Sequence, residues 1–234
     1  MIHGLYWATT LALDRSNNLY VANCNTCFEP AYRAMPPRDA VAVYAPKQTT
    51  VTRTITQGVH VPESLALDTA GNLYVANDPS SSSRFHPSVT VYGPGSTKLS
   101  RKITRGMTSA RTLVSDAGGD LFVSGGAKVL EYAPGSSRIV RTITDAIDGV
   151  QAMAVDALGV LYVANWPLFP SQPGWISVYE PGNPMAEYQI TEGIDMPVAL
   201  TLDRDGNAYV ANLSPDPAFI RVLRAACERT AAID

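Results

Sequence analysis

The chain has 234 residues, 46% hydrophobic and 17% charged, which supplies ample material for a core and excludes a disordered chain. Its net charge is −3 with Lys and Arg scattered singly, which excludes nucleic acid and an anionic membrane as main partners, since both need a concentrated basic face. No apolar run approaches the roughly 18 residues that span a bilayer.

The opening stretch, Met1-Ile-His-Gly-Leu-Tyr, lacks the basic start and the apolar run of a signal peptide. The protein is then either cytoplasmic or a mature or trimmed form, and the low charge and the wealth of Thr, Ser, Pro and Gly lean toward an exported one. From Leu11 onward one pattern recurs five times. Its most regular copy is Leu65-Ala-Leu-Asp68-Thr-Ala-Gly-Asn-Leu-Tyr-Val-Ala-Asn77, and the others cover residues 11–23, 113–125, 153–165 and 200–212. Counted from the Asp that closes the first run (Asp14, Asp68, Asp116, Asp156 and Asp203), the copies lie 54, 48, 40 and 47 residues apart, a spacing of propeller blades.

Four strands are predicted in each copy. Strand a is the Leu-Ala-Leu run and strand b the Leu-Tyr-Val-Ala run, rich in residues that suit a pleated surface. Strand c ends in Val43-Tyr44, Val91-Tyr92, Glu131-Tyr132 and Val178-Tyr179; strand d carries Ile55, Ile103, Ile143 and Ile190. Between a and b an Asp caps the turn, and Gly71, or Asn17, Gly119, Gly159 and Gly206 in the other copies, accepts a positive φ. Between c and d, Pro94-Gly95, Pro134-Gly135 and Pro181-Gly182 read as type II turns.

One four-stranded sheet cannot bury both its faces, whereas sheets packed face to face around an axis can. The expectation is therefore all-β: a five-bladed β-propeller of four-stranded antiparallel blades. It forms a single domain over 1–234, with repeats at about 4–57, 58–105, 106–145, 146–192 and 193–234. In the last copy Phe219-Ile-Arg-Val-Leu serves as strand c, but no Tyr-Pro turn follows; residues 224–234 supply a poor strand d, a short helix or a free tail.

Function is expected where repetition stops. The b-to-c loops differ in every copy, and together they carry Tyr32, Arg33, Arg84, Phe85, His86, Trp166, Phe169 and Trp175. Such a rim either binds a small molecule, a carbohydrate or a peptide, or packs its own loops onto the blades. In the d-to-a linkers, one aligned column reads Thr9, Glu63, Arg111, Gln151, Val198, and another Tyr6, His60, Thr108, Asp148, Asp195. The recurring Asn23, Asn77, Asn165 and Asn212 read as a hydrogen-bonded strand end. Cys24 and Cys27 form a local disulfide or remain free thiols, with Cys227 left over.

The sequence Leu-Ala-Leu-Asp-x-x-Gly-Asn-Leu-Tyr-Val-Ala-Asn followed by Val-x-Val-Tyr resembles the NHL-repeat propellers. It is also similar to the wider group of SMP-30/gluconolactonase lactonases and streptogramin B lyases, over roughly residues 4–223. That resemblance implies an alternative to a binding module: a metal-dependent lactonase or esterase with its site at the channel mouth. A divalent cation (Ca, Mn or Zn) would be held by Glu63 with Asp148 or Asp195, and His60, Glu63, Arg111 and Asp148 would be the catalytic candidates. An unfinished ring also suggests pairing of two copies as a homodimer through exposed edge strands.

Overall fold

A computed structural model describes residues 7–24, 39–79, 84–167, 172–213 and 219–223. It contains β-strands and turns, and every sheet is an antiparallel meander. The first sheet comprises β1 (Ala8–Leu13), β2 (Leu19–Asn23), β3 (Ala40–Tyr44) and β4 (Arg53–Ile55). The second comprises β5 (Pro62–Leu67), β6 (Leu73–Asn77), β7 (Ser88–Tyr92) and β8 (Leu99–Ile103), and the third β9 (Leu113–Ser115), β10 (Leu121–Ser124), β11 (Val129–Tyr132) and β12 (Ile139–Ile143). The fourth comprises β13 (Val150–Val155), β14 (Leu161–Asn165), β15 (Trp175–Tyr179) and β16 (Tyr188–Ile190).

The last sheet departs from expectation. It has three strands among the described residues: β17 (Pro197–Leu202), β18 (Ala208–Asn212) and β19 (Phe219–Leu223). Four blades are therefore complete rather than five. The residues expected to furnish a fourth strand there, 224–234, lack the Tyr-Pro turn that starts strand d elsewhere and lie outside the described residues.

The turn between strands a and b shows why the repeat folds as it does. Asp68 Oδ1 accepts the backbone amides of Ala70 and Asn72 at 3.0 and 2.8 Å, and Oδ2 accepts Asn72 Nδ2 at 2.7 Å and the Tyr74 hydroxyl at 3.1 Å. One carboxylate thus closes the turn and ties it to the next strand. The geometry needs a left-handed residue, which Gly71 supplies at φ 83° and Asn17 at φ 61° in the first copy.

Chain contacts divide the protein into two compact units, Met1–Gly125 with Val129–Arg141, and Gly126–Lys128 with Thr142–Asp234. In the first, consecutive sheets are joined by apolar clusters. Tyr20, Ala22, Val41, Val43 and Ile55 of the first sheet pack on Leu65, Leu73, Val75 and Tyr92 of the second. The second repeats this toward the third, where Tyr74, Ala76, Val89 and Val91 meet Leu113, Leu121, Val123 and Tyr132. The tyrosine ending strand c adds a polar latch: Tyr92 and Tyr132 donate to the carbonyls of Gln57 and Arg105, each at 2.5 Å. The phenols need a partner because their rings are fully buried. In the second unit the last two sheets are joined in the same way, through Ile176, Val178, Ile194 and Val210. Tyr179 there donates to Asp145 O at 2.6 Å.

The Asn column is a strand end, as expected. Asn77, Asn165 and Asn212 accept the amides of His60, Asp148 and Asp195 at 2.8, 3.1 and 3.2 Å. Asn77 Nδ2 donates in turn to Val75 O and Thr90 Oγ1. These asparagines are buried and consumed by the fold.

Candidate functional site at the linker end of the first blades

In each four-stranded sheet the a-to-b and c-to-d turns lie at one end of the strands, and the b-to-c and d-to-a connections at the other. At the second end of the first unit, the linker Val59–Pro62 is held in a costly conformation. Val61 has φ 51°, a region a β-branched side chain seldom enters. Its amide donates to Asp39 Oδ2 at 2.8 Å, and its carbonyl accepts the Asp78 amide at 3.0 Å. Asp39 is only 5% exposed, so this carboxylate is spent on the linker. Asp78 anchors the next linker in the same manner, accepting Ser109 Oγ at 2.8 Å and the Ala110 amide at 3.0 Å.

The strained linker leads into a bulge. Pairing between β5 and β6 shifts register between Pro62 and Ser64, which leaves Glu63 as the extra residue. The same shift occurs at Thr9 in β1, at Gln151 in β13 and at Val198 in β17. The variable column of the sequence is thus largely the column of bulge residues, freed from ladder pairing. Adjacent blades are stitched beside it: Thr9 Oγ1 donates to Pro62 O at 2.7 Å, and Ser64 Oγ accepts the Leu113 amide at 3.2 Å.

Burial raises the Glu63 carboxyl above the ordinary carboxylate range; Arg111 partly offsets this and Asp78 adds to it. Arg111 itself is exposed. His60 is half-buried, and burial pushes its imidazole below the usual value; Asp39 opposes the shift, while Lys102 and Arg84 reinforce it. The His60 ring stacks on Phe85 with centroids 3.6 Å apart and planes at 14°. The Arg84 guanidinium lies 5.0 Å from the Phe85 ring centre. A loop residue and a linker residue thus form a layered stack, with His60 three residues before Glu63 in the same linker. His86 is exposed on the same loop.

The remaining candidates separate. Tyr32, Arg33 and Phe169 lie outside the described residues. Trp175 is half-buried, and its Nε1 donates to Ala146 O at 3.2 Å and Ser177 Oγ at 3.0 Å, so its polar edge serves packing. Trp166 is half-buried, and its amide donates to Gly149 O at 3.1 Å. Its carbonyl would lie 1.9 Å from a Cβ at position 149, which Gly149, at φ 59°, alone permits. Asp148 and Asp195 belong to the second unit, Glu63 to the first. Among the described residues no group of three or more His, Cys, Asp or Glu side chains gathers as a metal would require, so the donor set does not fit the divalent cation that the lactonase resemblance implies.

Two features escape the sequence reading. Asp39 and Asp78 anchor the linkers, a role that no repeat position announces. A crevice of about 430 Å³ opens at the opposite end of the first unit, between the a-to-b turns of its three sheets, with Leu13, Leu67, Tyr20 and Pro94 in its walls. Its three carboxylates, Asp14, Asp68 and Asp116, all cap their own turns.

The architecture defines a β-propeller with blades of four antiparallel strands. Solved propellers share it: the hydrazine synthase of Kuenenia stuttgartiensis is 14% identical with a TM-score of 0.68, over 96% of this chain and 68% of that one. The β-propeller domain of Cps50 (Swd1) from Myceliophteria thermophila is 12% identical with a TM-score of 0.73, over 100% and 69%. The WD40 β-propeller domain of Doa1 is 10% identical with a TM-score of 0.67, over 92% and 62%. At these identities the likeness is one of fold, and the chain spans about two thirds of each neighbour's length. No family model and no curated protein matches the sequence. The NHL and SMP-30 resemblance therefore stands on its motifs, and the propeller is what the structural neighbours support.

Proposed function

We propose that the chain is a binding propeller whose ligand, a small polar molecule, a carbohydrate or a peptide side chain, is held at the linker end of the first three blades. The observation that carries this reading is Glu63. A half-buried carboxylate disfavoured by its surroundings occupies a bulge position, while the residues around it repeat for reasons of folding. Arg111 supplies a complementary charge, and His60 with Phe85 offers a flat apolar edge. Strain at Val61 beside these groups is the kind of cost that a functional site retains. Cys24 is disulfide-bonded, which supports an oxidising compartment.

The test is a thermal-shift screen of neutral and charged mono- and disaccharides, amino acids and short peptides, followed by titration calorimetry of each hit. Hits should weaken at least about tenfold, or about 1.4 kcal/mol, in both Glu63→Gln and Phe85→Ala. Hits with affinities unchanged in both variants would remove the site from this end of the molecule.

A further inference from the structure

Within each unit, a joint between consecutive blades has two halves. The earlier sheet offers a leading face whose strand-c valine is sealed: Val43 is 2% exposed, Val91 5% and Val178 1%. The later sheet offers a trailing face whose strand-a residue is sealed in the first unit, Leu65 at 7% exposed and Leu113 at 5%, and half-buried in the second, as Leu200. Two faces break the rule. On the trailing face of the first sheet, Leu11, which pairs with Val21 as Leu65 pairs with Val75, is 65% exposed, and Leu13 beside it is 58% exposed. On the leading face of the last sheet, Val222, which pairs with Tyr209 as Val91 pairs with Tyr74, is 50% exposed.

We propose that these surfaces are the two halves of a joint made between molecules: the leading face of the last sheet in one copy packs on the trailing face of the first sheet in a second copy. The occupant is argued from continuity with the interface already present in the chain. Wherever the equivalents of Leu11 are sealed in the first unit, what seals them is a propeller sheet presenting Tyr, Ala and Val in this register. The last sheet carries the same side chains, Tyr209, Ala211 and Val222. The outer part of the first sheet's trailing face, Val21 and Tyr44, is already buried, so the new contact centres on the inner strand. Such a contact is heterologous, because the two copies contribute different patches.

Sedimentation velocity of the full chain over increasing concentration tests this. The expected result is a mass that rises from one chain to two or more. Leu11→Glu and Val222→Glu should each weaken self-association at least about tenfold, since a charge would be desolvated in the joint. An equimolar mixture of the two variants should recover one-to-one pairs, because each retains the half that the other lacks. Should Leu11→Glu fail to fold by circular dichroism, Leu13→Lys on the same face takes its place. A single-chain mass at every concentration, association unaffected by both variants, or a mixture that stays monomeric would each overturn the proposal.

Discussion

The two ends of the first unit are built from the same three sheets and obey different rules. At the a-to-b turn end, carboxylate, left-handed residue and tyrosine recur almost without change, and their polar atoms satisfy one another: Asp14 accepts from Asn18 and Tyr20, as Asp68 does from Asn72 and Tyr74. At the linker end, equivalent positions hold Thr9, Glu63 and Arg111, and the backbone before Glu63 is strained. Repetition therefore marks what folding requires. The irregular end is where composition is free to serve something else.

The largest effect expected on this contrast comes from the regular end. Asp68→Ala removes four acceptor interactions and should cost about 2 kcal/mol in denaturant unfolding, with ligand affinity unchanged. Tyr92→Phe deletes the latch to Gln57 O and should cost about 1 kcal/mol, again without an effect on binding. A gain is expected at Ala146, which sits at φ 52° in a turn whose counterparts are Gly58, Gly106 and Gly193. Ala146→Gly should stabilise by about 0.5–1 kcal/mol by the same measure.

The smallest effect is a titration. Burial lowers the His60 pKa, so the unfolded chain binds more protons there than the native one below the ordinary histidine value. Stability contributed by His60 should fall as pH drops from about 6.5 toward its folded value. Phe85→Ala, which admits water, should bring the imidazole midpoint read by NMR back up.

Much of the fold is legible in the sequence because local chemistry and architecture agree. The Asp of each strand a, the Gly or Asn in the turn, and the Tyr ending strand c are each required by a bond now seen. The fifth blade is the exception, since the copy of strands a and b is complete there while the Tyr-x-Pro sequence that leads into strand d in the other copies does not follow strand c. The site is legible only in outline. The linker column locates Glu63, His60 and Arg111, but nothing in a valine announces a left-handed backbone, so the strain at Val61 is hidden. Aromatics in loops do not declare whether they face solvent or carbonyls: Phe85 stacks on His60, whereas Trp175 is tied to Ala146. Asp78 is unreadable because its role depends on Ser109 and Ala110, 31 and 32 residues away.

Glu63→Gln separates the two ends most directly when unfolding and binding are measured on the same variant. Because burial raises the Glu63 pKa, its charge opposes folding, and native stability falls as pH rises from about 4.5 through the folded value. The variant should thus be at least as stable as the parent at pH 7, lose that advantage below about pH 4, and bind every confirmed ligand more weakly. Unchanged affinity, or a loss of stability as large as that of Asp68→Ala, would show that Glu63 serves the fold and that binding lies elsewhere.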